Sequence, residues 1–191
     1  MAAANNKPGK NNSAKTALSG IIISLSVFIM FLTRLVPTLT YAMPAIAGFL
    51  MVVLVIETDL KTALVAYAAA SLLILIVTPD TESYLMYVFF FGYYCILKAK
   101  LERIRKRWLE IVIKILVFNI AVAAAYSVFA LLLGIDKLME SFGDFGRYSL
   151  LVFLLIGNII FIIYDFAISN LIEAYIKVIR PKFLKKPKGH N

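Results

Sequence analysis

The sequence predicts an all-α polytopic membrane protein, a bundle of six transmembrane helices with both termini in the cytoplasm. Three observations carry that reading. Of 191 residues, 62% are hydrophobic and the mean hydropathy is +0.88, more apolar material than one water-soluble core can hide. The apolar residues fall into six runs, and a helix needs roughly 20 of them to cross a hydrocarbon layer of about 30 Å. The 20 Lys and Arg residues lie in blocks between or beside those runs, in a pattern that alternates from one side of a membrane to the other.

Taken in order, residues 1–16 are small, polar and basic, MAAANNKPGKNNSAKT, and read as a cytoplasmic polar extension. The apolar run 17–36 is too long for the core of a cleaved leader and ends at Leu35-Val36-Pro37, a poor cleavage site, so it stays as the first helix. Further runs follow at 41–56, 62–77, 84–97, 109–133 and 149–176. The second, third and fourth are short for a crossing, so they borrow flanking residues or lie where the bilayer is thinned. None alternates polar and apolar residues at period two, which removes a barrel. The domains are therefore the extension 1–16, a six-helix transmembrane domain 17–179, and a basic cytoplasmic tail 180–191.

With both termini inside, seventeen Lys and Arg fall on cytoplasmic segments and three, Arg34, Lys137 and Arg147, on outer ones. This positive-inside bias sets the orientation and predicts a multi-pass protein of a bacterial cell membrane in contact with membrane lipids. The net charge of +9 sits in blocks rather than over one face, so it speaks for headgroups and against nucleic acid. One cysteine, Cys95, and one histidine, His190, exclude an internal disulfide and a Cys/His metal site. With no phosphate-binding glycine loop, no paired intramembrane aspartates and no histidine-based nucleophile, the sequence predicts neither an enzyme nor a cofactor.

Polar residues inside apolar runs are costly in lipid, so each is a candidate for function. Asn119 and Asn158 lie within the fifth and sixth helices. Either suits a ligand or, more readily, a contact between helices. Asp165 is too deep for a headgroup-level acid and calls for a partner such as Lys114 or the basic inner loop. Glu57 and Asp59 face water or pair with the same loop. The aromatic run Tyr87 to Tyr94 carries Gly92, where another helix can approach closely. On the outer side Arg34, Tyr41, Asp80, Glu82, Tyr84, Tyr126, Arg147 and Tyr148 are placed near loop mouths. The predicted ligand-binding residues are Arg34, Tyr84, Arg147 and Asn158. Two guanidinium groups among them suggest a carboxylate-bearing solute, because their planar forks match a carboxylate. The alternative is that both arginines snorkel to outer headgroups or pair with Asp80, Glu82 and Asp144. Small residues four apart, Ser13/Ala17 and Thr16/Gly20/Ser24, make a stripe on the first helix, and Ala17, Gly20 and Ser24 are the predicted partner-docking residues. The basic segment 98–107, with Leu101 and Ile104 on one side, reads as a short amphipathic helix on the inner surface.

The chain resembles the substrate-binding S components of energy-coupling-factor transporters. The resemblance lies in its size, six helices, inside termini, the small-residue stretch AKTALSGIIISLS and the basic inner loop. Members of that family commonly carry two alanines four apart on the first helix; here the small pairs are Ser13/Ala17 and Thr16/Gly20. The segment FFFGYYCILKAKLERIRKRWLEIVIKILVFN is also similar to a stretch of uncharacterised Firmicutes membrane proteins. The resemblance implies a subunit that captures a vitamin or other micronutrient from outside. It would dock on a transmembrane coupling subunit and its ATPases, which supply the energy. The alternative is a structural scaffold of the cell-shape or envelope machinery without a small ligand, similar to the six-helix partner of the bacterial elongation machinery. A small channel or flippase-like protein is a third reading.

Overall fold

The structure, a computed structural model, describes residues 8–102, 104, 106–134 and 149–180. Among them there is no strand, and almost every residue is helical. The elements are α1 (Pro8–Phe31), α2 (Ala42–Glu57), α3 (Leu60–Val77), α4 (Thr81–Met86), α5 (Gly92–Leu101), α6 (Arg107–Leu133) and α7 (Ser149–Ala174). A π-helical turn, Tyr87–Phe91, joins α4 to α5 without a break, so 81–101 is one helical run. A second π turn, Tyr175–Ile179, continues α7. Four helices are long and apolar enough to cross a membrane: Asn12–Arg34, Leu60–Val77, Arg107–Leu133 and Val152–Val178. The molecule is an all-α membrane bundle.

Unlike a protein in water, the molecule is apolar on its outside as well as in its core. On α3 the buried stripe is Ala63, Ala66, Ala70 and Ile74, while Val65, Leu72 and Ile76 on the other face are 69%, 67% and 81% exposed. Small side chains lie inward because they let helices approach, and branched ones lie outward because lipid is as apolar as they are. On α7 the inward face is large instead: Phe161, Tyr164 and Ile168 face in, while Ile159, Ile162, Ile163 and Phe166 face out.

α1 packs on α2 and α3, and α2 packs also on α5 and the π turn, which makes α2 the centre of its half of the bundle. Its 16 residues rise only about 24 Å, short of the hydrocarbon layer. Pro44, Ala47, Met51 and Leu54 repeat at helical spacing and are buried. Gly48 permits the closest approach, since a Cβ there would lie 2.5 Å from the Phe91 carbonyl oxygen in the π turn. Gly92 does the same for α3, because a Cβ would lie 2.7 Å from the Tyr67 ring. The Tyr67 hydroxyl donates to the Val88 carbonyl at 2.6 Å, which ties α3 to the π turn.

Within the segment read as a polar extension, residues 8–16 are helical and continuous with the rest of α1. One sequence expectation changes. The inner segment 98–107 is not a separate surface helix. Lys98 and Lys100 end α5, residues 104 and 106 are not helical, and Arg107 opens α6. The physical reason is Lys98, whose side chain turns inward to an acid instead of lying on headgroups.

Candidate functional site

The 81–101 run decides where the polar and aromatic groups meet. Asp80 caps it by accepting from the Glu82 amide at 3.1 Å and from the Ser83 hydroxyl at 2.5 Å, and Ser83 donates in turn to the Thr40 carbonyl at 2.7 Å. The start of α4 is thus fixed to the turn before α2, which brings Tyr41 to Glu82. Glu82 Oε1 accepts from the hydroxyls of Tyr41 and, at 2.6 Å, Tyr126 of α6; the two hydroxyl oxygens are 2.8 Å apart. No basic side chain among the described residues pairs with Glu82.

Beneath this cluster lies a cavity of about 230 Å³ between the 81–101 run, α6 and α7. Met86, one helical turn beyond Glu82, forms part of its wall with Phe90, Phe118, Val122, Leu154 and Phe161, and Tyr41 stands at its edge. The aromatic run that stands out in the sequence is therefore core, not an interface belt. Phe90 meets Phe118, Phe161 and Tyr94 with ring centroids 5.1, 5.6 and 4.9 Å apart, and Phe118 stacks on Phe161 at 4.8 Å. Tyr164 lines the cavity too, and its buried hydroxyl has no hydrogen-bond partner.

At the opposite end of the helices is a buried charge network. Asp165 of α7 accepts from the ammonium of Lys98, which has no exposed side-chain surface, from Lys114 at 3.2 Å and from the Tyr94 hydroxyl at 2.7 Å. Glu102 and Glu110 complete the two lysines at 3.1 and 2.6 Å. Burial of these charges is tolerated because each has an opposite partner and several hydrogen bonds. Two acids pair elsewhere than in the basic loop, Glu57 with Arg180 at 3.4 Å and Asp59 with Lys15 at 3.0 Å. Asp59 also caps α3, and the Thr62 amide, followed by Lys15, holds its carboxyl down at about 2.

The predicted site residues are dispersed. Asn158 pairs with Asn119 through reciprocal side-chain hydrogen bonds of 2.9 and 3.1 Å, and each amide also donates to the carbonyl four residues earlier. Its polar atoms are thus engaged between α6 and α7. Arg34 is exposed at the end of the 3-10 turn after α1 and has no ion pair among the described residues. Tyr84 is half-buried on α4, and Arg147 lies outside the described residues. Ala17, Gly20 and Ser24 share one exposed face of α1, with nothing within 4 Å of a Cβ built at Gly20. Of the outer residues named from sequence, Tyr41, Glu82 and Tyr126 do converge. The only mark of the cavity in the sequence is the aromatic run, whose neighbours only the fold supplies.

Among the described residues no group of three or more His, Cys, Asp or Glu side chains could hold a metal ion. Comparison of the chain with protein-family models, with curated proteins and with solved structures finds no match.

Proposed function

We propose that this protein is a solute-binding subunit of a vitamin or micronutrient importer in a bacterial cell membrane. It captures its solute from the outer side and passes it on through a separate transmembrane coupling subunit driven by ATPases. One observation carries this reading: the aromatic-walled cavity that runs from the Tyr41, Glu82 and Tyr126 cluster into the middle of the bundle. Apolar walls with a few convergent polar groups are the ordinary make-up of a small-molecule site. The exposed small-residue face of α1, with Ala17, Gly20 and Ser24, is the surface offered to the coupling subunit, because small side chains allow close backbone approach.

Native mass spectrometry of the protein purified in mild detergent tests the proposal. A small molecule carried by the wild type and lost from Gly157→Leu supports it. That substitution enters the cavity wall, where a Cβ would meet the Phe118 ring at an ordinary 3.5 Å. A stable protein partner in the absence of any small ligand would favour the envelope scaffold instead.

A further inference from the structure

We infer that the solute is a cationic amphiphile, one apolar chain with an ammonium head, and that it enters the cavity sideways from the bilayer. The inference rests on the solute-binding reading and names the chemistry of that same site. The cavity, at about 230 Å³, is smaller than the roughly 300–1,000 Å³ of sites that enclose a whole drug-sized ligand, so it suits one narrow segment of a longer molecule. Its wall is made of Phe90, Phe118, Val122, Leu154 and Phe161, which offer a chain dispersion contacts and no hydrogen bond.

The opening faces lipid. Ile156 and Ile160 form part of the wall and are yet 52% and 58% exposed, on the face of α7 that the bundle leaves to the membrane. A chain already dissolved in the bilayer reaches the cavity between them without crossing water. At the outer edge Tyr41 links the cavity to Glu82, a carboxylate held by two phenol groups and, among the described residues, by no cation. A carboxylate flanked by aromatic rings attracts an ammonium through both charge and ring faces, and it repels an acidic head. Arg34, the basic residue on the nearby turn, is exposed and pairs with no acid among the described residues, so it does not neutralise Glu82.

The test uses the full chain in phosphatidylcholine nanodiscs and two photoreactive probes of equal chain length, a diazirine-bearing dodecylamine and the corresponding dodecanoic acid. Crosslinks are mapped by mass spectrometry. The amine should label the segments around Val122 and Phe161 about fivefold more than the acid, the factor that ~1 kcal/mol of selective attraction produces. Glu82→Gln should bring the two probes to parity, and Gly157→Leu should remove labelling of the cavity by both, with thermal stability of each variant checked in the same discs. Equal labelling of the wild type by amine and acid would overturn the cationic head and leave the solute-binding reading intact. Labelling unchanged by Gly157→Leu would overturn both. An excess of unlabelled dodecylamine should displace the amine probe from the cavity, and labelling that persists would overturn a site for a single-chain ammonium.

Discussion

Lys98 has no exposed side-chain surface, and its ammonium is enclosed by Asp165 and Glu102. Removing one partner of such a network leaves a charge buried without compensation, which costs about 3–5 kcal/mol. Asp165→Ala takes the shared acid from two lysines at once and leaves each with a single glutamate, so its thermal unfolding in detergent should fall below that of wild type, and Asp165→Asn should recover only part of the loss. Asp59 behaves differently because it lies in water at the start of α3. Its carboxyl titrates at about 2 against an ordinary 3.8, so the folded state binds the proton less tightly than the unfolded chain. Its contribution is therefore complete above about pH 4 and disappears as the pH falls towards 2. The unfolding temperatures of wild type and Asp59→Ala should differ near neutral pH and converge on acidification. A gap that stays constant down to pH 2 would remove Asp59 as the cap. The need of Asp165 for a basic partner, and Lys114 as one, is legible in the sequence, because an acid in an apolar run must be paired. Lys98 is not. It stands in a run of basic residues that all read as solvated, and only the closure of α7 against α5 singles it out.

The 81–101 run holds the bundle together at the level of elements. Its π turn sets aromatic rings on several sides at once, and α2 and α3 make close approaches to the run at Gly48 and Gly92. Gly48→Ala would set a Cβ against the Phe91 backbone, which no rotamer can relieve, and should destabilise by about 1–3 kcal/mol. Gly20→Ala, with open space around it, should leave unfolding unchanged, and the two variants measured side by side separate close approach from helix propensity. Even Gly20→Leu should leave the isolated bundle as stable as wild type, so any loss it causes will appear in co-purification of a partner. From the sequence, Gly92 announces itself beside six aromatic residues, whereas Gly48 sits in AIAGFLM, where a small residue carries no special mark. The helical runs follow from hydropathy; the run 84–97 lengthens to 81–101 because its Asp80 cap and its Lys98 partner are both polar and so lie outside an apolar count.

On the scale of the whole molecule the charges are sorted by end. The Tyr41, Glu82 and Tyr126 cluster occupies one end, and the Lys98, Lys114 and Asp165 network lies towards the other. If the basic end faces the cytoplasm, as the Lys and Arg count expects, Thr81→Cys in a Cys95→Ser background should react with an impermeant maleimide added outside intact cells, and Lys106→Cys only after permeabilisation. The reverse pattern would invert the molecule and put the cavity mouth inside. The pairing of Lys98 with Asp165 also has a consequence for how the protein is made. The two residues are 67 positions apart, and Asp165 lies on the last helix. While the ribosome is still producing that helix, the chain already in the translocon holds two lysines whose principal acid has not yet been translated. A nascent chain that stops before residue 149 keeps every earlier helix and the Glu102 and Glu110 partners, but leaves the two ammonium groups short of the acid they share. Completion of the final helix is therefore the event that distinguishes a finished molecule from a fragment for the cell's quality control.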